Sequence, residues 1–175
     1  MKDVDKFSKF VSQLNYKHKI VIAGNHDFCF ESELKEEAES IFKRDQIIYL
    51  NDSEVIIENK KFYGSPIQPW FHDWAFNRQR GEEINKHWLQ IPIDTDILIT
   101  HGPPYGILDK CYHGARVGCE DLLKKVKEIR PKIHAFGHIH EEYGTTIMDN
   151  IVFVNACSLD EKYKVVNNPI EIILD

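Results

Sequence analysis

A chain of 175 residues, 42% hydrophobic and 29% charged with a formal net charge of −6, is long enough for one domain with a real core. It holds no dense Lys/Arg block, no apolar run near the roughly 18 residues of a membrane span, and no apolar stretch at its start resembling a secretory signal. Duplex nucleic acid and membranes are therefore disfavoured as partners, the expected setting is cytoplasmic, and the oligomeric state is left open. Cys29, Cys111, Cys119 and Cys157 are scattered without a CxxC pair, which points to reduced thiols and away from a zinc ribbon.

In chain order, Val4, Phe7, Val11 and Leu14 recur at helical spacing and predict an amphipathic helix. Ile20-Val21-Ile22-Ala23 reads as a short buried strand ending at Gly24, and 32–43 as a second helix with Glu33, Glu36 and Glu37 in its early turns. Three β-like runs at 46–50, 54–58 and 61–64, separated by Asn51-Asp52 and Asn59-Lys60, predict an antiparallel meander. Residues 65–81 carry aromatics and two prolines with neither period, so a long loop is expected. A helix at 82–88, a strand at 96–100, a helix from Cys119 that stops before Pro131, and a strand at 133–136 follow. Further strands are expected at 144–148, 151–155 and 170–174.

The nine histidines decide the functional reading. Three expected strands each end in a loop rich in metal donors: Gly24-Asn25-His26-Asp27, His101-Gly102-Pro103-Pro104 and Gly137-His138-Ile139-His140. In open α/β sheets functional groups collect beyond the carboxyl ends of strands, so parallel neighbours would bring these loops together. Imidazole nitrogen with an Asn carbonyl suits a borderline divalent ion, and glycine at 24, 102 and 137 would allow sharp turns and close approach. Singly, each histidine is an ordinary polar residue; the coincidence of three loops points to a shared metal site. His18, His72, His87, His113 and His134 lack that context, with His72 and His113 kept as weak substrate-loop candidates. In the 65–81 loop, Trp70, Phe71, Trp74 and Phe76 would either form a stacking wall for a nucleobase or cap the core.

These motifs resemble the later motifs of calcineurin-like metallophosphoesterases: Gly-Asn-His-Asp at 24–27, Thr-His-Gly-Pro-Pro at 100–104 and Gly-His-Ile-His-Glu at 137–141. The stretch from Tyr16 to His26, Pro69-Trp70-Phe71, Trp74-Ala75-Phe76-Asn77 and Arg116-Val117-Gly118-Cys119 narrow the likeness to the small metallophosphoesterase-domain-containing proteins, which are cyclic-nucleotide and phosphodiester hydrolases. The resemblance implies an α/β (α+β layered), β-sandwich-like fold with flanking helices and hydrolysis of phosphoesters by metal-activated water. It implies that Asn25, His101 and His138 hold one ion of manganese, zinc or iron and that His140 helps hold a second. It also implies that His26 contacts the phosphate and protonates the leaving oxygen, and that Asp27 orients His26. Trp70, Trp74 and Asn77 are the candidate contacts to a phosphoester or nucleotide.

The family's earlier Asp-x-His and Gly-Asp motifs are absent from residues 1–175, and Asp3-Val4-Asp5 lies on the expected first helix. The expectation is thus one domain, 1–175, lacking its first β-α-β portion, holding one ion or fewer and impaired in turnover. The alternatives are a catalytically inactive metal- or nucleotide-binding relative, and a scaffold whose histidines are relics.

Overall fold

The computed structural model describes residues 1–174. Helix α1 (Lys2–Ser12) turns Val4 and Val11 to the core and carries Asp3 and Asp5 in its first turn, where the helix dipole favours them. Its Ser8 hydroxyl donates to the Asp45 carboxylate (2.6 Å), just past the end of α2 (Lys35–Arg44), which buries Ala38 and Phe42. Phe42 stacks on Phe30 (centroids 5.4 Å apart) and tilts against Tyr49, so aromatics join the first third of the chain. Helices α3 (Glu82–Trp88) and α4 (Glu120–Ile129) bury Ile84, Trp88, Leu122 and Val126. The Cys119 sulfur caps α4 by accepting from Leu122 N–H (3.4 Å), and Arg130, at φ 50°, ends it before Pro131.

Among the described residues, ten strands form three sheets. Strands β3 (Ser53–Ile57), β4 (Lys60–Ser65), β7 (Ile97–Thr100), β8 (Ile133–Phe136), β9 (Gly144–Met148) and β10 (Ile151–Asn155) lie in the order β3-β4-β7-β8-β10-β9. The inner four run parallel and the two edges antiparallel. Alternation sorts the side chains: Leu98, Phe136 and Phe153 join the helices in the main core. On the other face Ile97, Ile133 and Val154 meet Ile170 and Ile172 of the tail. Strands β1 (Ile20–Val21) and β2 (Ile48–Tyr49) pair parallel apart from this sheet, as do β5 (Gln68–Pro69) and β6 (Asn77–Arg78) inside the 65–81 loop.

The mixed α/β class is as expected, and three local expectations are corrected. The meander does not form, because Ile48 and Tyr49 pair with the half-buried Ile20 and Val21 instead, leaving only β3 and β4 of the three runs as a hairpin. That hairpin turns at Glu58 and Asn59, both left-handed (φ 49° and 61°), one residue earlier than Asn59-Lys60. The tail over 170–174 makes no ladder; the period-two apolar signal there reflects one-sided packing of Ile170 and Ile172 on the sheet.

Candidate functional site

The parallel neighbours β7 and β8 deliver His101 and His138 side by side, and the Gly137 N–H donates to the His101 carbonyl (3.0 Å) across the gap. Strand β1 reaches the site by packing rather than by pairing in the same sheet, with Gly24 against the His101 ring. Asn25 Oδ1 lies 2.8 Å and His138 Nδ1 3.1 Å from His101 Nε2, and Asn25 N lies 3.3 Å from the same nitrogen. Burial, reinforced by the neighbouring His138 and His26, lowers the His101 pKa to about 3. Burial, then His140 and His26, lowers that of His138 to about 4. Both rings are therefore neutral near pH 7 and offer lone pairs. A single neutral Nε2 cannot both accept from the Asn25 N–H and donate to Asn25 Oδ1, so lone pairs crowd at this point. A divalent cation fits that donor set. Among the described residues, no three His, Cys, Asp or Glu side chains form such a group by themselves; the trio depends on the Asn25 carbonyl.

His138 adopts φ 70°, a left-handed conformation that a non-glycine residue holds only where its surroundings impose it. The chain turns sharply at these loops, with the Asp27 N–H donating to the Gly24 carbonyl (3.0 Å) and the Ile139 N–H to the Gly137 carbonyl (2.8 Å), yet the glycines at 24, 102 and 137 do so without positive φ; Gly24 is needed for space. His140 Nδ1 lies 2.7 Å from the Asp160 carbonyl, which can only accept. The proton is thus on Nδ1 and the Nε2 lone pair stays free, the arrangement of a metal-ligating imidazole. His26 is exposed in the cleft, its ring 5.2 Å from that of Trp74 and 6.3 Å from that of Tyr163. The Asp27 carboxylate accepts from the Gly24 N–H (2.7 Å), closing its own loop; a hydrogen bond to His26 is not formed. Burial raises the Asp27 pKa.

These residues open into a cleft of ≈ 620 Å³ that Trp70, Phe71 and Trp74 also line. Phe76, by contrast, is core at 2% exposure. Asn77 is likewise buried, and its amide donates to the Phe71 and His72 carbonyls and accepts from Gln68 Nε2. It braces the loop and does not line the cleft, because its amide is consumed by backbone that has no strand partner. His72 and His113 also lie outside the cleft lining.

Three supports gave no motif signal. His134, fully buried, lies 2.9 Å from Thr100 Oγ1, whose hydroxyl donates to the Gly102 carbonyl (2.7 Å). Asn155 donates to the Ile139 carbonyl (2.8 Å) and accepts from Cys157 N–H (3.1 Å). The buried Asp109 carboxylate gathers the 106–118 loop. Each is a single polar residue with no local pattern around it, so the sequence alone carries no signal for these roles.

Residues 3–142 match the family model described as calcineurin-like phosphoesterase. The chain is 40% identical to human "Metallophosphoesterase domain-containing protein 1", covering 98% of this chain and 60% of that protein. It is 36% identical to a UPF0046 protein of Caenorhabditis elegans, covering 96% and 49%. The chain thus spans about half to three-fifths of the length of these relatives. A crystal structure at 18% identity shares the fold, with a TM-score of 0.62 over 89% of this chain and 63% of that one. Among the described residues no helix is long and apolar enough to cross a membrane.

Proposed function

The chain belongs to the calcineurin-like phosphoesterase family, a family of metal-dependent hydrolases, and from that premise we propose that it hydrolyses phosphodiesters of nucleotide type. The observation that carries this reading is the convergence of Asn25 Oδ1, His101 Nε2 and His138 Nδ1 within 3.1 Å at the ends of parallel strands. These three would hold one divalent ion, manganese, zinc or iron, whose chemistry when bound is to acidify water and polarise the phosphoryl group. His26, free in the cleft, is the proton donor to the leaving oxygen. Asp27 sets the His26 loop through Gly24. Trp70 and Trp74 give the base a stacking surface. The free thiols of Cys29, Cys111, Cys119 and Cys157 support a cytoplasmic setting.

No carboxylate joins the trio among the described residues. The reading therefore includes a second element: with no carboxylate in the trio, residues 1–175 alone hold one ion at most and turn over slowly. The same lack favours the alternative of an inactive metal- or nucleotide-binding relative. With Mn²⁺ and bis(4-nitrophenyl) phosphate, slow turnover lost in both His26→Ala and His138→Ala supports hydrolysis. Metal binding without turnover favours the alternative, and absence of metal binding overturns the hydrolase reading and the metal-binding form of the alternative together.

A further inference from the structure

Between β7 and α4 the chain folds back on itself, with Lys110 and Arg116 bridged antiparallel and the Cys111 N–H donating to the Ala115 carbonyl (2.9 Å). Its anchor is Asp109, at 0% exposure. One carboxylate oxygen accepts from the Gly106 and Gly118 N–H groups (2.8 and 3.1 Å), the other from Arg116 Nη1 (2.7 Å). Arg80 reaches in from the 65–81 loop and donates to the Val117 and Gly118 carbonyls (3.0 and 2.9 Å). Arg80 and Arg116 line the same cleft as His26, His101 and His138.

A buried carboxylate needs compensation, and two N–H groups with a guanidinium provide it. Compensation alone does not require the guanidinium to stand in the cleft. The Arg116 side chain is 43% exposed, and its Nε and Nη2 make no hydrogen bond among the described residues. One corner of the fork is thus fixed on Asp109 while the remaining donors are free. A guanidinium held in place by its ion-pair partner loses little further entropy on binding and matches phosphoryl oxygens in geometry and charge. Of the acidic side chains that also line the cleft, Asp27 is occupied by the Gly24 N–H and Glu141 by the Tyr112 N–H, and Glu161 is exposed.

We propose that Arg116, held by Asp109, binds an anionic oxygen of the substrate's phosphoryl group and so makes the cleft select phosphorylated over neutral nucleosides. This rests on the phosphoesterase reading but is tested apart from it.

Titration calorimetry of the whole chain with AMP and with adenosine, each with and without Mn²⁺, reads the effect. In Arg116→Gln, AMP binding is expected to weaken about 10- to 100-fold, the range of a charge-assisted hydrogen bond, with adenosine unchanged. Arg116→Lys keeps a cation beside Asp109 but loses the free fork; it is expected to weaken AMP about 10-fold at an unchanged melting temperature, and it serves if the Gln variant does not fold. Equal AMP affinity in wild type and both variants overturns the proposal, as does parallel loss of AMP, adenosine and thermal stability, or a wild type that does not prefer AMP to adenosine. A chain that keeps the Arg116-dependent preference yet shows neither Mn²⁺ binding nor turnover would sink the hydrolase reading alone.

Discussion

The ring of His101 packs so closely on Gly24 that a methyl group there would come within 2.7 Å of Cε1 and 2.8 Å of Nδ1. The contact is to a side chain that can swing, so Gly24→Ala is expected to cost little stability, at or below the ~1–3 kcal/mol of ordinary overpacking. The swing would carry Nε2 away from Asn25 and His138. Equilibrium dialysis with Mn²⁺ should show binding at least about 10-fold weaker in Gly24→Ala, on the scale of disturbed ligand positioning. Wild-type binding in this variant would mean that the trio is not preformed.

Metal stoichiometry is the second expectation. Two cations lacking a bridging carboxylate repel, by ~4 kcal/mol even for unit charges at 4 Å and an effective dielectric of 20. After Mn²⁺ or Zn²⁺ loading and dialysis, elemental analysis should give no more than one ion per chain. His101→Ala and His138→Ala should abolish retention, while His140→Ala should leave it within about threefold, because His140 is outside the trio. Tight retention in His101→Ala would remove the assignment.

How much of this was readable beforehand follows from sequence separation. Strands β7 and β8, the 82–88 helix and the three donor loops were legible because apolar runs, glycines and histidines there are local signals. That His101 and His138 meet followed from a parallel pairing; that Asn25 joins them required packing of a separate sheet, which no periodicity encodes. Asp109 with Arg116, and Asn155 with Ile139, act through backbone groups that only the folded loops present. The tail misled because alternation marks a one-sided environment, and a segment lying on a sheet face has that environment without a ladder.

Acid stability should carry the signature of His134. Burial lowers its pKa to about 3. Thr100 spends its proton on Gly102, so it accepts from His134 Nε2–H and leaves Nδ1 unpartnered. The folded state binds this proton less readily than the unfolded one, whose histidine titrates near ~6.5. The contribution is therefore fully present above pH ~6.5 and is lost as pH falls towards 3, by about 1.4 kcal/mol per pH unit for each such group. His101 and His138 act in the same direction. Urea unfolding across this range should show the slope reduced by one proton's worth in His134→Gln, and an unchanged slope would mean that His134 is not buried neutral.

The aromatic wall separates into two roles. Trp70 is 51% exposed, so its removal deletes a surface for stacking and little core. Trp70→Ala is expected to weaken AMP binding by ~1–3 kcal/mol while far-UV circular dichroism and the melting temperature stay near wild type. Trp74 also lies against His26, Phe71 and His138, at centroid distances of 5.2, 5.3 and 6.3 Å, so Trp74→Ala should lower stability as well as binding. Equal loss of structure and binding in Trp70→Ala would return that ring to the core.

Strand β1 pairs only with β2, leaving its other edge without a ladder partner among the described residues. Past the end of β1 a groove of ≈ 490 Å³, lined by Val4, Phe7, Ile22 and Phe28, runs to His26 and Asp27. Phe7 and Phe10 on α1 stand 47% and 61% exposed. The donor set has no carboxylate among the described residues, so a segment carrying Asp-x-His and Gly-Asp that paired on this edge would add the negative charge a second ion needs. Residues 1–175 alone are therefore expected to turn over phosphodiesters very slowly. Fusing a segment with those two motifs ahead of Met1 should raise the rate at least about 100-fold by restoring an activated nucleophile. It should also raise Mn²⁺ content towards two ions, and His26→Ala should erase the gain in rate but not in metal. If the short chain already turns over rapidly, after removal of contaminating phosphatases and with loss on His138→Ala, then Asn25, His101 and His138 suffice and the carboxylates are dispensable.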